Sequence, residues 1–135
     1  MKTFAMIATA GLALGGVAAA AVSQGPASRS QARAEAILAG RTAEPAVHCV
    51  NQQRLRGNRS LPDGGILFGG NDAVVYVNRP TAGCPSLDGG RFLVTRAPSG
   101  QLCSGDIVTV RDTGPGPEVG SCALGEFTPY RRARR

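Results

Sequence analysis

Tryptophan is absent from the 135-residue sequence, and lysine occurs once, at Lys2. There is one histidine, and aromatic residues make up 4% of the chain, which limits the core that a small domain can bury. No Gly-x-Ser-x-Gly motif, Cys-x-x-Cys pair or phosphate-binding glycine loop leading into a helix occurs. The sequence therefore offers no recognisable catalytic set, and we expect no catalytic residue, no metal site and no cofactor.

Residues 1–21 have the pattern of a signal peptide. Lys2 supplies a positive start, residues 4–22 are apolar and uncharged, and Ala19-Ala20-Ala21 offers the small residues that signal peptidase recognises. We predict cleavage after Ala21, so that the mature protein is not transmembrane and is periplasmic or secreted. An uncleaved anchor is the alternative, but a run rich in alanine and glycine partitions weakly into lipid.

Positive charge after residue 21 comes from arginine alone, with 14 arginines against 9 acidic residues. Residues 131–135 form a basic tail that contains Arg131, Arg132, Arg134 and Arg135. Between residues 45 and 130 the sequence has 7 arginines and 7 acids, which places the excess charge in the tail. Because nucleic-acid binding needs a basic face on the domain itself, we expect no nucleic-acid partner. The tail is either a contact for an anionic partner or a solvated terminus.

Four cysteines remain, at Cys49, Cys84, Cys103 and Cys122. An even number in a small exported chain indicates two disulfides, whereas a zinc site would need closely spaced ligand pairs that are missing here. Three pairings are possible. We predict Cys49–Cys122, joining the two ends of the domain, and Cys84–Cys103, closing a local loop. With so thin a core, both are expected to be required for folding.

The chain after the signal divides into three predicted parts. Residues 22–45 are typical of a linker with a short helix that is capped by Ser30, ends at Gly40 and is frayed or weakly docked. Residues 46–130 alternate short apolar runs with turns, which predicts a mostly β, disulfide-stapled domain, and residues 131–135 are the basic tail. The domain is expected to be a small curled sheet or partly open barrel of five to six short strands. The predicted strands are 47–50, 66–68, 73–78, 91–96, 107–111 and 124–127.

Isolated polar residues offer little further chemistry. His48 lies in a predicted strand with its side chain opposite to that of Cys49, which favours a surface or rim histidine over the alternative, a general base. Four aspartates stand beside glycine, where turn chemistry accounts for them. They are Asp63, Asp72, Asp88 and Asp106.

Several short motifs resemble a family of small exported four-cysteine proteobacterial proteins of unknown function. The most specific are Cys-Pro-x-Leu at 84–87 and Leu-Cys-x-Gly-Asp at 102–106, with Cys49-Val50, Ile66-Leu67-Phe68, Val75-Tyr76, Cys122 and Phe127 as further points of similarity. The resemblance covers about residues 49–130. It implies a bacterial source, an oxidising compartment and no established activity, and residues 51–63 depart from the pattern.

Three functions remain open. The leading prediction is non-enzymatic binding of a partner or small ligand, such as an anionic envelope component or another periplasmic protein. The second is an envelope-associated structural protein held at an anionic surface by its arginine tail. The third is a hydrolase or hydrolase inhibitor, which would need His48 to meet an aspartate and a hydroxyl in one pocket.

Overall fold

The chain folds into three layers built around one central sheet. The computed structural model describes residues 28–134, so the predicted signal peptide at 1–21 lies outside the described residues. Within 28–134, ten strands form a five-stranded, a three-stranded and a two-stranded sheet, and a helix covers the outer face of the largest. The predicted mostly β, disulfide-stapled class is confirmed, with ten strands instead of five or six.

The longest connection between the strands runs from residue 79 to residue 91, between the fifth and sixth strands. Two 3₁₀ turns, Gln52–Arg54 and Pro85–Leu87, lie between strands. The bounds are α1 Arg29–Leu38, β1 Arg41–Ala43, β2 Cys49–Asn51, β3 Asn58–Ser60, β4 Ile66–Phe68, β5 Val74–Asn78, β6 Phe92–Val94, β7 Gln101–Cys103, β8 Ile107–Arg111, β9 Glu118–Ala123 and β10 Phe127–Arg132.

The central sheet has the strand order β1-β10-β5-β4-β3, and every pair is antiparallel. Since alternate residues of a strand point to opposite faces, Phe68, Tyr76 and Phe127 lie on one face and pack into the main core. Leu67 and Val75 point to the other face, where α1 covers them. Burial on both faces explains why the central strands are continuously apolar.

The second layer consists of two smaller sheets, β6-β8-β9 and β2-β7. The layers are joined where strands pass between them. Val47 forms an antiparallel β-bridge with Phe127 before the chain enters β2. Between β9 and β10, the Leu124 N–H donates to the Asp106 carbonyl. Each sheet keeps edge strands within residues 28–134, so these sheets form an open, curled structure with no closed barrel.

Helix α1 begins at a capping box between Ser28 and Gln31, two residues before the predicted cap at Ser30. Ala34 is fully buried against the sheet. The Ser28 hydroxyl also donates to the Asp88 carboxylate at 2.7 Å, which lowers the pKa of that carboxyl. The helix is therefore docked, and the expectation of a frayed or weakly docked helix is wrong.

Arg41 fastens the end of this helix to the central sheet. Its Nε donates to the Ile37 carbonyl at 2.8 Å, and its two terminal nitrogens donate to the carbonyls of Gly70, Ala73 and Tyr130 at 3.2 to 3.4 Å. One guanidinium thus joins the helix, the β4–β5 loop and the last strand. An arginine that occupies a predicted linker is in fact a structural residue.

The folded unit is larger than the predicted domain of residues 46–130. Helix α1 and strand β1 place most of the predicted linker, residues 22–45, inside the fold, because β1 pairs with β10. At the other end, β10 continues through Arg131 and Arg132, so the first part of the predicted 131–135 tail is sheet. Residues 22–27 and Arg135 lie outside the described residues.

All four cysteines form disulfides, but the predicted pairing is wrong. Cys49 bonds to Cys103, its direct partner in the β2–β7 register, and Cys84 bonds to Cys122. The prediction placed Cys122 beside the last strand, whereas it lies in β9 against the turn Pro85–Leu87. Because β2 pairs with β7 instead, Cys49 cannot reach Cys122.

Two disulfides fit an extracellular or periplasmic protein. Across residues 28–134, no helix has the length and apolarity needed to span a bilayer.

Candidate functional site

Six arginines gather around the loop Gly69–Ala73, which joins β4 to β5. Arg41 and Arg59 donate hydrogen bonds to carbonyls of this loop, and Arg132 donates to it through its backbone. The Arg56 carbonyl accepts from the Gly69 N–H. We call this region the arginine-rich end, and its members are Arg41, Arg54, Arg56, Arg59, Arg131 and Arg132.

The remaining two members are Arg131, which lies in the central sheet, and Arg54, which lines a groove. Arg131 lies opposite Val74 in the β10–β5 register, directly after the loop. Arg54 closes the 3₁₀ turn that follows β2, and it lines a groove together with Asp72. Arginines from three separate segments of the sequence, 41, 54–59 and 131–132, therefore meet at one end of the molecule.

Two carboxylates, Glu44 and Asp72, oppose these six arginines, so the formal net charge of the arginine-rich end is +4. Arg131 forms an ion pair with Glu44, and this hydrogen bond lowers the pKa of the Glu44 carboxyl. The pKa of Arg41 is lowered, first by burial of the guanidinium and then by the positive charge of Arg132. Like charges thus repel one another at this end, and neighbouring carboxylates do not fully neutralise them.

This distribution corrects the inference that basic charge lies in the tail alone. Residues 45–130 are balanced in sum, but Arg54, Arg56 and Arg59 are gathered at one end while most of the seven acids lie elsewhere. The sheet then brings Arg131 and Arg132 of the predicted tail to the same place. Counting charge along the sequence could not detect a cluster that depends on the fold.

A groove opens at the arginine-rich end between the central sheet and the segment that follows β2. Gln53, Arg54 and Arg56 line it from the segment after β2, and Asp72, Val74 and Tyr76 line it from the β4–β5 loop and β5. The groove has a volume of about 240 Å³. A second depression of about 340 Å³ shares Arg54 and Tyr76 with it and extends along Val47, Asn51 and Pro129.

The predicted contact residues for an anionic partner are only partly brought together. Arg131 and Arg132 belong to the arginine-rich end, and Arg134 follows β10 as an exposed residue. Arg131 is engaged by Glu44, with further contact between its second nitrogen and the other carboxylate oxygen at 3.4 Å. Arg135 lies outside the described residues.

His48 is exposed, and within residues 28–134 its imidazole makes no hydrogen bond to another side chain. The structure therefore gives no support to a general base at this position. Three of the four glycine-adjacent aspartates hold nearby backbone N–H groups, as turn chemistry predicts: Asp63, Asp72 and Asp106. Among the described residues, no group of three or more His, Cys, Asp or Glu side chains is arranged to hold a metal ion.

Comparison of the chain with protein-family models, curated proteins and solved structures gave no match. The resemblance to exported four-cysteine proteins therefore stays a prediction.

Proposed function

We propose that this protein is an exported binding domain that docks on an anionic membrane surface through its arginine-rich end. The observation that carries the proposal is the gathering of six arginines around the loop Gly69–Ala73. The proposal unites the two leading predictions, partner binding and envelope association. It assigns the contact to the folded domain together with its C-terminal arginines.

Arginine suits a surface of lipid phosphates. Its planar guanidinium donates in a fork that matches phosphate oxygens, and it loses less hydration energy than an ammonium group. Each basic residue near an anionic leaflet contributes about 1 kcal/mol. Six arginines at one end, opposed by two carboxylates, therefore favour a defined orientation of the domain on the membrane.

The predicted export of the protein also favours docking on a membrane. The disulfides Cys49–Cys103 and Cys84–Cys122 persist in an oxidising compartment, which the predicted signal peptide would supply. A bacterial envelope, which the resemblance implies, would present anionic lipid headgroups there. A periplasmic or secreted location thus brings the arginine-rich end within reach of the partner that we propose.

Replacing Arg54 and Arg132 together by glutamine should weaken binding to phosphatidylglycerol vesicles about thirtyfold, because two contacts of about 1 kcal/mol each are lost. Both side chains are exposed and make no hydrogen bond within residues 28–134, so the fold should be unaffected. Vesicle co-sedimentation at increasing salt measures the effect, and wild-type binding should fall as salt screens the charges.

The matched control replaces Arg29 and Arg111 by glutamine, with the same change in net charge. Arg29 begins α1 at the end of the helix remote from Arg41, and Arg111 ends β8 in the second layer. Equal loss in both double variants would show a general charge effect and would contradict the proposal. Tighter binding of the wild type to a DNA duplex than to the vesicles, at the same salt concentration, would also overturn it.

A further inference from the structure

Within the described residues, the groove at the arginine-rich end carries two arginines and one carboxylate that form no ion pair with one another, although the Asp72 charge partly offsets the lowering of the Arg41 pKa. Within residues 28–134 the ion pairs are Arg79–Asp63 and Arg131–Glu44, so Arg54, Arg56 and Asp72 take part in none. All three nevertheless line the same groove. Their charges are available to a ligand that enters between them.

One oxygen of the Asp72 carboxylate accepts a hydrogen bond, and the other stays open. Its Oδ2 accepts a hydrogen bond from the Gly70 N–H at 3.3 Å, and its Oδ1 accepts none from the described residues. Arg56, which lines the same groove, donates from Nε to the Gln53 carbonyl at 3.3 Å, and its two terminal nitrogens make no hydrogen bond to the described residues. A ligand with an anionic group beside the arginines and a cationic group beside Asp72 would match both kinds of charge.

We propose that this groove binds the phosphoethanolamine headgroup of a membrane lipid, with the phosphate at Arg54 and Arg56 and the ammonium at Asp72. The inference rests on the proposed function, because the same arginines bring the groove to the membrane. It goes further by naming one headgroup among those that an anionic membrane contains.

The chemistry of the groove favours phosphoethanolamine over other lipid headgroups. A headgroup with phosphate but no amine would satisfy the arginines and leave Asp72 repelled by the phosphate. A quaternary ammonium has no N–H to donate to Asp72 and is typically held by several aromatic rings, whereas Tyr76 is the one ring in this groove. A primary ammonium donates directly to a carboxylate. The volume of about 240 Å³ admits a small headgroup and not a large one.

The experiment compares vesicles with the same fraction of phosphatidylglycerol, in which the remaining lipid is phosphatidylethanolamine or phosphatidylcholine. Wild-type protein should bind the ethanolamine vesicles about tenfold more tightly, the size expected from one added hydrogen bond between charged groups. Asp72→Asn should abolish this preference, so that the variant binds the ethanolamine and the choline vesicles equally. Asp112→Asn makes the same charge change in the loop after β8 and should keep the preference.

Soluble phosphoethanolamine and ethyl phosphate form the second arm, followed by the amide NMR signals of Gly70 and Asp72. We expect phosphoethanolamine to shift these signals at lower concentration than ethyl phosphate does, and the difference to vanish in Asp72→Asn. Wild-type protein that binds both vesicle types equally would overturn the headgroup assignment and leave the proposed function standing. Wild-type protein that binds neither vesicle type would overturn the proposed function, and the soluble ligands would then test the groove alone.

Discussion

Replacing Cys84 and Cys122 together by alanine should lower the free energy of unfolding by about 4 kcal/mol, the loop-closure value for a bridge of this span. The bridge spans 38 residues and lies in the main core, where Cys84 is 1% exposed and Cys122 is 5% exposed. It holds the turn Pro85–Leu87 against β9. Because a small domain is stable by about 5–15 kcal/mol in total, this loss is a large share of it.

Urea denaturation measures the change, and a peptide map of the unreduced protein tests the pairing itself. The map should show Cys49 joined to Cys103 and Cys84 joined to Cys122. A loss below about 1 kcal/mol would be the size of an ordinary substitution and would contradict a stabilising role for this bridge. A Cys49–Cys122 peptide would show that the strand order described here is wrong.

Asn78→Asp should destabilise the protein by about 3–5 kcal/mol at neutral pH, the usual result of leaving a buried charge without a partner. Asn78 is fully buried, and its amide pairs with the backbone of Gly125 on both sides. Nδ2 donates to the Gly125 carbonyl at 2.6 Å, and Oδ1 accepts from the Gly125 N–H at 2.9 Å. In the variant, a carboxylate oxygen faces that carbonyl, and the two oxygens repel each other.

The same variant should recover stability in acid. Burial raises the folded-state pKa of the introduced carboxyl above its unfolded value, so the folded state binds more protons and gains stability as pH falls through that pKa. Urea denaturation at neutral and mildly acidic pH gives both values. Asn71→Asp makes the same chemical change at an exposed position of the β4–β5 loop and should change stability by less than about 0.5 kcal/mol. Equal stability of the two variants would contradict the structural role of Asn78.

At Gly125, the connection between β9 and β10 comes very close to the backbone of the residue that follows β5. A Cβ atom built at Gly125 would lie 2.4 Å from the carbonyl oxygen of Arg79, closer than real contacts allow. Glycine at this position therefore permits the chain to pass from β9 to β10 beside β5, and Asn78 fixes it there. The sequence offered no signal for this pair, because the two residues are 47 positions apart.

Strands with strong apolar patterns were predicted from the sequence with good accuracy. Ile66–Phe68 and Ile107–Arg111 have the bounds that the pattern predicts, and Val74–Asn78 begins one residue later than predicted. Their β-branched and aromatic residues fill buried positions, so local preference and packing agree.

In β9 and most of β10, which were not predicted, local sequence preference and packing do not agree. β10 contains Pro129, which donates no backbone hydrogen bond and normally argues against a strand with neighbours on both sides. It is tolerated because the Pro129 carbonyl still accepts from the Glu44 N–H. β9 contains Gly120 and follows a loop rich in proline and glycine, and no strand was predicted for residues 118–123.

The arginine-rich end was beyond sequence analysis for a different reason. Its members come from segments that were interpreted separately as a linker, an irregular stretch and a tail, and they meet only after β1, β5 and β10 pair. The total charge of the domain is unaffected by this gathering. The position of charge, which determines binding, depends on strand order, and strand order was not available from one sequence.

The most direct test of the proposed membrane contact is paramagnetic broadening of amide NMR signals by lipids spin-labelled at the headgroup, in phosphatidylglycerol bicelles. Signals from the loop Gly69–Ala73 and from Arg54, Arg56 and Arg132 should lose the most intensity, while Thr109 and Ser121 in the second layer should keep theirs. This result would place the arginine-rich end on the membrane. Strongest broadening in β8 and β9, or none anywhere, would contradict the account.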